Sequence, residues 1–240
     1  MGRDISNRDD MSIVDIDKQW LLALNGSDSL FLDSVVKTLT TATTWIPLYV
    51  ALLYVVIKNS DNVRKVILII VCALLCVFLA GSIDDMFVKP FFARWRPARD
   101  PQIGILVDIV NGYRGGRFGF FSAHASNTFS LAIFFSLLFR SRLVTITMVI
   151  WSLINCWTRL YLGVHYPGDI LVGLLWGGLI GTAVWYLHSR LLPQPMAPAN
   201  YVSSQYTKTG FQQEHANVLV VVVTLTVIYA LIKACLSIYY

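Results

Sequence analysis

The run VILIIVCALLCVFLAGSI, Val66 to Ile83, holds 18 residues without a charged side chain. A helix needs about 20 mostly apolar residues to cross a bilayer core, so this run is read as a membrane span. Working outward, five further runs repeat the pattern: Leu39 to Ile57, Ser126 to Phe139 with its flanks, Leu143 to Trp157, Ile170 to Leu187 and Val218 to Ser237. The 240 residues are 56% hydrophobic and 14% charged, with a mean hydropathy of +0.61. That is too apolar for a soluble domain of this size. The expected fold is therefore all-α, a polytopic membrane helix bundle of about six transmembrane helices plus an N-terminal interfacial helix. Pro47 falls inside the first expected span, where neighbouring helices must satisfy the freed carbonyl. Arg140, Ser141 and Arg142 form the tight turn of a hairpin between the third and fourth.

Residues 1–38 form the N-terminal segment, 39–190 the membrane core, and 191–240 a polar linker and the last span. The N-terminus carries acids throughout and no long apolar stretch, which excludes a cleavable signal. Within it, Ile13 to Leu22 reads as an amphipathic helix with Trp20 at headgroup depth. Net charge is +5, but no basic arm or recognition helix lies outside the apolar runs, so nucleic acid is excluded as a partner. The cations read instead as serving membrane lipid headgroups, membrane orientation and a phosphate site; nothing in the sequence sets an oligomeric state. Cys72, Cys76, Cys156 and Cys235 all fall in apolar runs and read as buried thiols rather than a disulfide frame or a zinc site.

Charged groups at a membrane boundary are costly enough to mark function, and three clusters stand there. Lys89 and Arg96 lie seven apart and share a face if a helical segment starts at Pro90 and is stopped by Pro97. Two such cations clamp phosphate oxygens, Arg through its bidentate fork. Phe121, Ser122, Ala123 and His124 follow a glycine-rich loop, Gly112 to Gly119. Ser122 is placed to cap the third span, whose first amides point at an anion. Arg159, His165 and Asp169 make the third cluster. Asp169 either shares a helical face with His165 or sits with it on the turn before the fifth span, and in both cases its carboxylate fixes the imidazole tautomer and leaves the other nitrogen free to attack. Alternation of spans brings all three clusters to one face. Lys58, Arg64, Lys65, Arg140, Arg142, Arg190 and Lys208 fall on the other, the cytoplasmic side by charge bias. Arg3, Arg8, Lys18 and Lys37 argue the opposite way. The site is expected to face outward, away from the cytoplasm.

Taken together, the clusters resemble the type 2 phosphatidic acid phosphatase family, part of the superfamily that includes bacterial acid phosphatases and vanadium haloperoxidases. The compact chain resembles its bacterial members, which implies a lipid phosphate substrate and a bacterial inner membrane, with the site on the periplasmic or exterior side. The resemblance spans about residues 80–187. Lys89, Arg96 and Pro97 match its first motif, Ser122 and His124 its second, and Arg159, His165 and Asp169 its third. Phe121, Ala123 and Thr158 depart from the family's Pro, Gly and Ser, and none removes a catalytic side chain. The resemblance implies hydrolysis of a phosphoester or diphosphate through a phosphohistidine. His165 would be the nucleophile, Asp169 its orienting partner and His124 the acid and base. Lys89, Arg96, Arg159 and the amides near Ser122 and Ala123 would bind phosphate. No metal and no cofactor are implied, since the cations occupy a metal's role.

A serine protease built on Ser122 leaves the three cations idle, a metal hydrolase would use His124, His165 and Asp169, and a non-catalytic lipid-binding or transport protein has no need of the full His, His and Asp set. Among family substrates the sequence leans weakly to a phosphate of lipid A, with undecaprenyl diphosphate, phosphatidic acid and phosphatidylglycerol phosphate as alternatives. The lean rests on Arg94, Arg99, Arg114 and Arg117, which are placed around the 99–120 segment to engage a second phosphate.

Overall fold

The computed structural model describes residues 12–192 and 204–239, and every regular element in them is helical. Helix α1 (Ile13–Leu24) opens at Ser12, whose hydroxyl accepts from the Asp15 amide while the Asp15 carboxylate accepts from the Ser12 amide. This reciprocal cap satisfies two orphan donors at once. One edge of α1 leaves Ile13, Trp20 and Leu24 exposed. The other turns Leu21 inward and sets Lys18 3.6 Å from Asp100.

The first expected span is broken. Helix α2 (Leu30–Thr40) stops at Thr41, and a 3₁₀ turn over Ala42–Trp45 leads into α3 (Ile46–Lys58) at a bend of 68°. Pro47 thus sits in the first turn of α3, where its missing N–H costs no bond, and not in a span interior. Backbone carbonyls freed within a bilayer need partners. Here the Thr41 hydroxyl takes Lys37 O at 2.7 Å, Thr44 takes Thr38 O at 2.7 Å and the Trp45 indole takes Leu39 O at 2.8 Å.

Helix α4 (Val63–Val77) runs on through two π-helical turns, Phe78–Ser82 and Asp84–Val88, into α5 (Lys89–Phe92), a helical path of 30 residues. It ends at Ala93, which is left-handed with φ 44°. The 93–122 segment follows, with short 3₁₀ turns at Pro97–Arg99 and Val110–Gly112. Helices α6 (Ala123–Phe139) and α7 (Arg142–Tyr161) form the expected hairpin, with Arg140 left-handed at its turn. The bundle closes with α8 (Pro167–Leu191) and α9 (Gln213–Tyr239).

All six apolar runs are helical, yet they are not six equal spans. Four helical stretches are long and apolar enough to cross a membrane (Val63–Phe92, α7, α8 and α9), and the bent α2–α3 pair makes a fifth. Helix α6, with 17 residues, is shorter. The chain is a multi-pass membrane protein.

Trp45, Phe134, Leu138, Met148 and Trp151 fill the main core. The tightest approach is between α6 and α8. A Cβ on Gly173, Gly177 or Gly181 would lie 2.8, 2.4 and 2.4 Å from the carbonyl oxygens of Ser122, Ser126 and Ser130. Small residues every fourth position thus let the two backbones touch, the usual way helices associate where lipid offers no hydrophobic drive. Cys72, Cys76 and Cys156 are buried free thiols, but Cys235 is exposed, because the last turns of α9 turn that face outward. Of the linker, residues 193–203 lie outside the described set; beyond them Thr209 caps α6 through Leu138 O and Phe139 O at 2.8 and 2.9 Å.

Candidate active site

His165 and Asp169 sit on the turn leading into α8. Tyr166 is the N-cap, Pro167 occupies the first turn, and the Asp169 carboxylate reaches back to the Tyr166 amide at 3.0 Å. That fixes Asp169 below the imidazole, with Oδ2 3.5 Å from His165 Nδ1. The spacing is an ion-pair distance and not a closed hydrogen bond, because the carboxylate is already claimed. Its Oδ1 takes Arg94 at 2.6 Å and its Oδ2 the Tyr166 amide. On the other side of the ring, Arg96 Nη1 lies 3.2 Å from His165 Nε2. Since Arg is only a donor, Nε2 must offer a lone pair there, which is the neutral tautomer protonated on Nδ1. Burial, then Arg96, Arg159 and Lys89, hold the His165 imidazole well below its ordinary pKa.

Ser122 caps α6 as expected, its hydroxyl accepting from the Ala125 amide. Its own N–H is not free for an anion, however: it donates to Asp169 O at 3.1 Å. The orphan donors left at this helix start are the amides of Ala123 and His124. The α6–α8 seam begins at Ser122, so the helix bearing His124 and the helix bearing Asp169 are set by backbone contact.

Lys89 and Arg96 do not share a helical stripe. Ala93 ends the helix after Phe92, and Arg96 lies in extended backbone (φ −70°, ψ 150°) beside the Trp95–Phe118 bridge. Arg96 is oriented by Phe118 O at 3.0 Å and Val164 O at 3.2 Å. Lys89 ion-pairs with Asp84 at 2.7 Å and with Asp85. Asp84 is fully buried and also accepts from the Phe121 amide at 3.1 Å, so it joins the first motif to the second. Asp84 lies in the second π-helical turn, a distortion common at functional sites.

Arg159, in the last turn of α7, is only 2% exposed. It donates to the Thr40 hydroxyl at 2.8 Å and the Tyr113 hydroxyl at 3.2 Å, and its Nε has no hydrogen-bond partner among the described residues. No carboxylate meets it or Arg96 among the described residues. Burial raises the Tyr113 phenol, yet Arg159 and Arg96 outweigh it and draw that group below its ordinary pKa. A cavity of about 470 Å³ opens here, lined by Lys37, Thr40, Tyr113, His124 and Arg159 among others. A buried guanidinium without an anion is strongly unfavourable, so the cavity is built for a negatively charged group. Thr40 exists as a partner because α2 breaks one residue later.

The PAP2 superfamily profile matches residues 65–193, more than half of the chain. The chain belongs to the PAP2 superfamily. It is 43% identical over 179 residues to the lipid A 4′-phosphatase of Bacteroides thetaiotaomicron, covering 74% of this chain and 79% of that one. To the lipid A 4′-phosphatase of Porphyromonas gingivalis it is 35% identical over 182 residues, covering 74% and 76%. No solved structure matches. The expected membrane phosphatase family is thereby borne out.

Within this PAP2 frame, the departure at Thr158 keeps its hydroxyl bonded to Asn155 O at 2.7 Å and Thr40 at 3.2 Å. The Phe121 side chain is buried, and its amide serves Asp84. Each of the four selectivity arginines has contacts within the protein. Arg94 bridges Asp169 and Asp17, both at 2.6 Å. Arg99 and Arg114 tie the 93–122 segment to itself through Gly115 O and Ala98 O, at 3.3 and 3.2 Å. Arg117 stacks 4.8 Å over the Trp95 ring. Sequence reading missed Asp17, Asp84, Thr40 and Tyr113, and Lys37 as a lining residue. Asp84, an acid at the end of an apolar run, carried a legible signal of cost; the others depend on chain segments meeting across the fold. Among the described residues, no group of three or more His, Cys, Asp or Glu side chains is arranged to hold a metal ion.

Proposed function

We propose that the protein removes a phosphate from lipid A, the 4′-phosphate by analogy with the enzymes it is most related to among those named above. It would do so on the outward leaflet of a bacterial inner membrane. The single observation that carries the anion chemistry is Arg159, buried and without a carboxylate beside His124. In the reaction, His165 Nε2 attacks phosphorus as the ester P–O bond breaks, and His124 gives its proton to the departing sugar oxygen. Water then attacks the phosphohistidine, gives a proton to His124, and frees His165 and inorganic phosphate. Arg96 and Arg159 stabilise the charge of the transferring group, with Lys89 entering as the phosphate competes with Asp84 and Asp85 for its ammonium.

Lys37 supports a two-phosphate headgroup. It lines the cavity and its ammonium makes no hydrogen bond or ion pair with a described residue, whereas Arg94 is paired with Asp17 and Asp169, and Arg99 and Arg114 donate to backbone carbonyls. Phosphate release by purified protein on lipid A, undecaprenyl diphosphate, phosphatidic acid and phosphatidylglycerol phosphate, side by side, tests the substrate. Preference for lipid A, and a gain of one phosphate (about 80 Da) on lipid A when the gene is deleted, is the expected result. Unchanged lipid A with preferred turnover of another of the four would overturn it.

A further inference from the structure

We infer that Asp17, on the interfacial helix α1, is a positioning residue of the catalytic centre, acting on His165 through Arg94 and Asp169. The inference rests on the proposed role of His165 as nucleophile. Hydrogen bonds run without a break from Gly168 and Asp17 through Arg94 to Asp169, and Asp169 then faces the His165 ring at a longer spacing. Asp17 Oδ2 accepts from Arg94 Nη2 at 2.6 Å, and its Oδ1 accepts from the Gly168 amide at 2.7 Å. Arg94 Nη1 then meets Asp169 Oδ1 at 2.6 Å, and Asp169 Oδ2 faces His165 Nδ1 at 3.5 Å.

Each end of this path solves a problem the other cannot. Asp169 is fully buried, and an ionised carboxylate there needs a charged partner as well as the Tyr166 amide. Arg94 is that partner. Alone, though, it would add a fourth cation to Lys89, Arg96 and Arg159 around one imidazole, and would be free to swing toward the phosphate. Asp17 offsets that charge and holds the second arm of the fork, while Tyr166 supports its face at 4.2 Å. The Gly168 amide fixes Asp17 to the same helix start that carries Asp169. A Cβ at Gly168 would lie 2.9 Å from the Asp17 carboxylate, so only glycine admits this approach freely.

The carrier of Asp17 is also an element with an exposed apolar edge. Lys18 joins Asp100 and Gln102 on the docked side, while Ile13, Trp20 and Leu24 stay exposed on the other. Seating α1 in the bilayer surface therefore seats the charge that braces the nucleophile.

The test uses the full chain in lipid vesicles, with lipid A as substrate and kcat and KM measured separately. Asp17→Asn is expected to lower kcat about tenfold or more, the scale of a misplaced reacting group, with KM within about twofold. Arg94→Gln should lower kcat further, and the double variant no further than Arg94→Gln alone, because both act through one path. Gln19→Lys changes the charge of the same helix by the same single unit at an exposed position away from the path and should leave kcat unchanged. A wild-type kcat in Asp17→Asn, a loss confined to KM, an equal loss in Gln19→Lys, or additive losses in the double variant would each overturn the inference. If Arg94→Gln does not fold, the Asp17→Asn and Gln19→Lys pair still decides. An active His165→Ala would overturn the nucleophile reading and the relay with it; an inactive His165→Ala beside a fully active Asp17→Asn would overturn the relay alone.

Discussion

At the scale of single residues, the site divides its cations into matched and unmatched. Lys89 has Asp84 and Asp85, and Arg94 has Asp17 and Asp169, whereas Arg96 and Arg159 meet only neutral acceptors. On the proposed function, phosphate completes the unmatched pair. His165→Ala should abolish turnover and His124→Ala should block leaving-group departure, measured as phosphate release; substantial activity in the His165 variant would refute the nucleophile. Because burial and then Arg96, Arg159 and Lys89 hold His165 below 6.5, the ring stays neutral as pH falls through 6.5 and protonates only in more acid solution. Titration of ¹⁵N-labelled imidazole in the free enzyme should show this, and a His165 midpoint at or above 6.5 would contradict it. Lys37→Ala should raise KM about two- to fivefold for lipid A bearing two phosphates, the worth of one exposed charge contact, and leave the 4′-monophosphate form unchanged. Equal effects on both forms would remove Lys37 from headgroup recognition. The three motifs were legible because charges are rare within and beside apolar runs. The role of Arg94 was not: Asp17 stands 77 residues before it, and nothing in local spacing announces that pairing.

At the scale of elements, two distortions place the chemistry. The break after Thr40 turns a hydroxyl toward Arg159, and the π-helical turns before Lys89 bring Asp84 under the Phe121 amide. Apolar periodicity shows that a segment is helical and where it runs out, and the hairpin at Arg140 and the cap at Ser122 followed from it. A bend that keeps the chain apolar and helical on both sides leaves no such trace, so Pro47 read as a span interior and not as a helix start. The α6–α8 seam gives an element-level prediction. Gly177→Ala places a methyl 2.4 Å from Ser126 O, which the backbones must separate to admit. The expected cost is about 1–3 kcal/mol, the range for an overpacked site, seen as a lower Tm together with a lower kcat. Gly112→Ala is the control, since a Cβ there meets nothing within 4 Å, although its φ of +71° makes some loss of stability inherent. An unchanged kcat in Gly177→Ala would show that the seam does not set the site.

For the whole molecule, the three motifs meet at one end of the bundle, and the hairpin cations Arg140 and Arg142 lie at the opposite end of α6 and α7. On a background without native cysteines, a Cys replacing Tyr113 should react with an impermeant thiol reagent in cells whose outer membrane is permeabilised, and one replacing Arg142 should resist. The reverse pattern would put the site in the cytoplasm. Activity should survive EDTA, since side-chain cations supply the charge that a metal would; loss restored by zinc or magnesium would reassign the chemistry. The glycine-and-serine seam has a consequence for how the enzyme lives among lipids. It packs the helices that carry His124 and Asp169 backbone to backbone, as one body. A bilayer that thickens or thins tilts such a body as a unit and leaves its internal distances alone. Fatty-acid composition, which bacteria adjust with temperature, should then govern how readily substrate reaches the mouth and not the speed of phosphoryl transfer once it is there.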